Sequence, residues 1–326
     1  LRTNYEYYPE RDQKLSLDML EALDRGSAVE LLLSMSSSGK SKPDLARNLR
    51  GLVGPWIAGV TEFKRQKSNV SGDDGLRSGW REVNEWLLSR SSSDRDLVVD
   101  AFTQWDGPGD VDLGGYERRD VNEDQIRLLQ QDYGQTGLAI VYAADANVKS
   151  LEGSFKIVSR VPTLLQIDLD ANIPIDSPTL PSLRLNLDAI SSASRASLLH
   201  NTLLDPSNPL TVPSATSLAF VRALLLSLRI LQEFGHPISC SAAATMCLQG
   251  SEDAQSRMLR SIVDSIAKQT RASRSWPRIR EQILWLREWG HPTGGDKYHG
   301  LLWRIPRDVM ETEILKTMLI VGGECI

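Results

Sequence analysis

The sequence predicts an all-α fold, an irregular α-solenoid of stacked antiparallel helix pairs forming one continuous segment over 1–326. Three observations carry that prediction. Apolar residues recur at helical spacing along most of the chain, and polar or Gly/Pro stops divide them into short helices. No Asn-Gly or Asp-Gly hairpin lies between alternating strands, and there is no β-α-β rhythm. The pairs come at irregular intervals without a fixed motif, which suits an irregular solenoid better than a regular repeat family or a compact bundle.

In order, Leu15 to Leu23 and Ala28 to Met35 form a first pair broken by Arg25-Gly26-Ser27. Leu45 to Phe63 is a longer helix in which Gly51, Gly54 and Pro55 threaten a kink. Gly79 to Gly115 is an αα-hairpin. Trp80, Val83, Trp86 and Leu87 make one apolar stripe, Ser91-Ser92-Ser93-Asp94 supplies an N-cap, and Leu97, Val98, Ala101, Phe102 and Trp105 make the second. Val121 to Tyr133, Leu138 to Ala146 and Val148 to Val161 follow. Leu138 to Tyr142 has the content of a buried strand, but the nearby alanines and helical flanks assign it to helix.

Two proline-rich loops, near 168–182 and 205–216, flank Leu183 to Leu204 and are candidate hinges. Leu218, Val221, Leu225, Leu228 and Leu231 then make the strongest apolar face, stopped at Phe234-Gly235-His236-Pro237. Arg222 and Arg229 mark its solvated side and argue against a membrane span. Ser239 to Leu248, Glu252 to Lys268, Trp276 to Trp289 and Arg307 to Leu319 complete the series.

A net charge of -5 argues against a general nucleic-acid binder, which shows a broad basic surface. Cys240, Cys247 and Cys325 are too few and too irregularly spaced for a disulfide framework or a zinc site, so a reducing, cytosolic setting fits best. The start at Leu1 without a signal-like segment and the stop at Ile326 suggest a fragment of something longer.

No motif yields catalytic, cofactor or metal residues. Gly39-Lys40-Ser41 lacks the earlier glycine of a phosphate loop, since Ser34 stands there. The segment Asp106 to Asp112 with Glu117 has Val111 where a calcium loop needs its turn glycine and Pro108 at a ligand position, so it reads as a solvated loop. His200, His236, His291 and His299 form no HExxH or HxH pattern, and no nucleophile elbow is present. Carboxylate pairs such as Asp73-Asp74 and Glu311 with Glu313 read as solubilising charges. Trp80, Trp86, Trp105, Trp276, Trp285 and Trp289 fall on apolar stripes and read as core.

One cluster stands apart. Arg257, Arg260, Lys268, Arg271, Arg274, Arg278 and Arg280 face only Asp264 in an otherwise acidic chain. Either this is a basic ridge for an acidic partner helix or it is an ordinary solvated face. Arg271, Arg274, Arg278 and Arg280 are the candidate partner-binding residues.

Several segments carry a resemblance. Asn4 to Pro9 with Asp12 to Leu15, Val83-Asn84-Glu85-Trp86, Gln104 to Pro108, Asn208 to Thr211, Gly235-His236-Pro237, Gly250 to Asp253 and Glu311 to Lys316 resemble the secretory-pathway Sec-thirty-nine domain family of fungi. The segments 168–182 and 254–275 match nothing in it. The resemblance implies a non-enzymatic α-solenoid subunit of the Dsl tethering complex, which captures Golgi-derived retrograde vesicles at the endoplasmic reticulum. Its implied partners are the other subunits of that complex and endoplasmic-reticulum SNARE proteins, with no nucleic acid and no direct membrane insertion. The implied location is peripheral, on the cytosolic face of that membrane. The metazoan relative is the neuroblastoma-amplified sequence protein. A helical-repeat scaffold of another trafficking or nuclear-transport assembly is the alternative.

Overall fold

The computed structural model describes residues 19–20, 22–34, 44–59, 73–113, 123–169, 180–181, 183–184, 190, 192–269, 275–291 and 300–323. Its described elements are overwhelmingly helical. They divide into two compact units, one of 1–140 with 159–166 and one of 141–158 with 167–326.

In the first unit, α1 (Arg25–Ser34) begins where the sequence suggested a break. Asp24 accepts from the Ser27 backbone N–H at 3.0 Å, so the polar triplet is the first turn of a capped helix. Next, α2 (Leu45–Asn48) is capped by Asp44 and runs into a π turn over Leu49–Val53, with α-helix resuming over 54–59. The expected kink at Gly51-Gly54-Pro55 is this π turn. Pro55 has no N–H to donate back along the helix, and the Arg50 carbonyl instead accepts from the Asp112 N–H at 3.0 Å.

The hairpin forms as the sequence indicates. Helix α3 (Asp73–Arg90) and α4 (Arg95–Gln104) are joined by Ser91 to Asp94, and Asp94 accepts from the Leu97 N–H. Trp80, Val83, Leu87, Val98, Phe102 and Trp105 are buried, whereas Trp86 is half-exposed at the edge of its stripe. The expected pair Val121–Tyr133 and Leu138–Ala146 is in fact one helix, α5 (Glu123–Tyr142). Gly134 and Gly137 do not break it, because the turns holding them are buried on the core and tertiary packing outweighs local propensity. The assignment of Leu138 to Tyr142 to helix holds. The helix ends at Tyr142 rather than Ala146, since Asn147 caps the next element by accepting from the Ser150 N–H at 2.8 Å. That element, α6 (Val148–Leu165), continues one turn past Pro162, where the sequence suggested an end at Val161.

In the second unit, α7 (Ala215–Glu233) is the core helix, with both Ser214 and Ser217 engaged in a capping box. By length and composition it could cross a membrane, yet two thirds of its apolar stretch is buried within the protein. Its end is a Schellman motif: Gly235 takes φ 70°, the His236 N–H donates to the Leu231 carbonyl, and the Gly235 N–H donates to that of Gln232. Arg222 and Arg229 are half-buried, and burial lowers the Arg222 pKa. Helix α8 (Cys240–Gln249) packs on α7, and α11 (Arg307–Gly323) packs on both α9 (Glu252–Gln269) and α10 (Trp276–Glu288).

Leu183–Arg184 and Gly290–His291 make a two-residue parallel bridge. Besides that bridge, the described residues between Leu183 and Leu204 hold 3-10 turns at Arg195–Leu198 and His200–Thr202. The 205–216 loop is tied to those turns. Asn208 donates to the Ser197 and Thr202 carbonyls, and the buried Thr211 hydroxyl donates to Leu203. The loop at 168–182 lies almost wholly outside the described residues.

Candidate partner-binding surface

The outer face of α9 is set by its inner one. Met258, Leu259, Ile262, Val263 and Ile266 are buried, which turns Arg257, Arg260, Asp264 and Lys268 outward at helical spacing. Glu252 and Asp253 in the first turn offset two of those positive charges, so α9 alone is a mixed rather than a basic face.

Of the four candidate arginines, Arg271 and Arg274 lie outside the described residues. Arg278 is exposed in the first turn of α10. Arg280 is exposed but donates to Glu311 of α11 at 2.6 Å, and the same Glu311 oxygen accepts from Arg307 at 3.2 Å. The hydrogen bond from Arg307, followed by the Arg280 charge, holds the Glu311 carboxyl below its ordinary range. Arg280 therefore differs from Arg278: an acidic partner would have to compete with an existing carboxylate. Sequence spacing gave the arginines equal standing because Glu311 is thirty-one positions away.

The Asp106 to Asp112 segment is only in part a solvated loop: Asp106 and Gly109 are exposed, and Asp110 to Asp112 are half-buried. Trp105, Gly107 and Pro108 are buried, and Asp106 and Asp110 meet arginines from other elements. Asp110 is clamped by Arg50 of the π turn at 2.5 Å through Nη2 and 2.9 Å through Nε, while Asp106 pairs with Arg160 of α6. Gln130 of α5 donates to the Asp106 carbonyl, and the Trp105 indole N–H donates to that of Asp110 at 2.8 Å. Beneath the segment, Tyr133 stacks on Phe102 at 4.4 Å and meets Trp105 edge-on at 5.0 Å. Two of the carboxylates that suggested a calcium loop, Asp106 and Asp110, are thus structural anchors, and Glu117 lies outside the described residues. Proximity of their distant arginine partners was not available from local spacing.

The tryptophans divide similarly. Trp80, Trp105 and Trp289 are buried, while Trp276 and Trp285 are half-exposed, the latter donating to the Pro181 carbonyl at 2.8 Å. His236 is half-buried, with Nδ1 3.3 Å from the Ser261 hydroxyl, and burial lowers its pKa. Cys247 is buried and its thiol is pushed up to about 12. Ser154 is buried within α6 and donates to the Ser150 carbonyl at 2.7 Å. A cleft in the second unit between Asp145, Leu151, Gln232 and Cys240 has room for about one water molecule. Among the described residues no group of three or more His, Cys, Asp or Glu could hold a metal ion. Gly39 to Ser41, Asp73-Asp74 side chains and His299 lie outside what is described.

The sequence reading missed one surface feature. On α11, Met310, Ile314 and Thr317 face inward, yet Leu315, Met318, Leu319 and Ile320 are also apolar and are exposed. The run Leu315 to Val321, apolar nearly all round, was the available signal.

No curated protein and no solved structure matches this chain. The family model of the secretory pathway protein Sec39 matches it over residues 1–323, so the chain belongs to the Sec39 family of secretory-pathway proteins.

Proposed function

We propose that this chain is a non-enzymatic scaffold, an α-solenoid segment of a multisubunit tether that captures Golgi-derived retrograde vesicles and engages SNARE proteins. It acts as a peripheral component on the cytosolic face of the endoplasmic reticulum, within the Dsl tethering complex. The observation that carries this reading is membership of the Sec39 family along almost the whole chain. The physical chemistry is compatible with it. Asp106 and Asp110 are spent on ties between elements, and Cys247 is held as a buried, protonated thiol. A stack of helices places partner sites far apart on a semi-rigid frame, and helices laid into its grooves supply apolar anchors with a charged rim.

The test is binding of the purified chain to the cytosolic regions of endoplasmic-reticulum SNAREs and to the other tether subunits, by size-exclusion chromatography with light scattering. A stable one-to-one complex with any of them supports the reading. A helical, monodisperse sample that binds none of them counts against it and favours a scaffold of another assembly. Within that reading, Arg271, Arg274, Arg278 and Arg280 form the rim for an acidic partner helix. Replacing all four by Glu weakens the complex, whereas unchanged affinity with an intact fold removes these residues from the interface.

A further inference from the structure

We draw no further inference here: the strongest candidate, the exposed apolar surface patch that Leu315, Met318, Leu319 and Ile320 form along the last turns of α11, carries nothing because no part of the structure shows what covers it.

Discussion

Gly107→Ala is the sharpest test of how the segment after α4 is held. Gly107 takes φ 84°, a left-handed conformation that costs an L-residue about 1–2 kcal/mol. A β-carbon there would lie 2.7 Å from Tyr133 Cδ1 and 2.9 Å from Gln130 Oε1. Gln130 can swing away, but the Tyr133 ring is buried against Phe102 and cannot retreat without disturbing the stack. Overpacking of that kind adds about 1–3 kcal/mol, so the expected total is about 2–5 kcal/mol.

Gly109→Ala is the control. Its β-carbon would meet Gln130 Oε1 at 3.6 Å and Ile126 Cγ2 at 3.7 Å, ordinary contacts, so its cost should stay within about 0.5 kcal/mol. Urea unfolding followed by far-UV circular dichroism gives the midpoints. Hydrogen exchange then localises the loss, which should raise exchange in α4 and the middle of α5 before it affects α9 to α11. Equal midpoints for the two variants would refute the reasoning, because they would mean that neither the backbone angle nor the tyrosine stack constrains this segment.

Three other outcomes follow from the same geometry. A double-mutant cycle on Arg50→Ala and Asp110→Ala, read by urea midpoints, should give a coupling of about 1 kcal/mol, since the bidentate pair is roughly one third exposed. Alkylation followed by mass spectrometry at pH 8 should leave Cys247 unmodified in the native protein and label it in urea, because burial pushes its thiol up to about 12. Burial depresses the folded-state pKa of His236, so its neutral form favours the fold. The contribution to stability is present above the unfolded value of about 6.5 and is lost as pH falls through the lower folded value. His236→Gln should flatten that part of the stability profile; an unchanged profile would remove His236 as its source.

Much of the helix order was legible because burial imposes a period on the sequence. The α3–α4 hairpin is the clearest case: its inward stripes, the Asp94 cap and the extended residue at Trp105 are all local signals. The fused helix α5 was not legible, since Gly134 and Gly137 look like breaks until the surrounding core makes the helical path cheaper. The anchoring of Asp106 and Asp110 was hidden for a different reason. Each depends on an arginine more than fifty positions away, and a carboxylate on a glycine-rich loop has the same local pattern whether it meets water, a metal or Arg50. The rim arginines show the limit most clearly: composition found the cluster, but only packing of α10 on α11 separated Arg280 from Arg278.

The apolarity of α7 also has a consequence during synthesis. A chain emerges from its amino terminus at about 5–20 residues per second, so α7 leaves the ribosome before α8 and Trp289, which pack against it. Its aromatic neighbour Trp289, packed 6.2 Å from Phe220, is made only after α8, α9 and α10. Until then the nascent chain carries a helix with the length and hydropathy of a membrane segment. Its half-buried Arg222 and Arg229 then act on biogenesis as well as on packing, because each lowers the tendency of the exposed helix to insert while it waits for its partners.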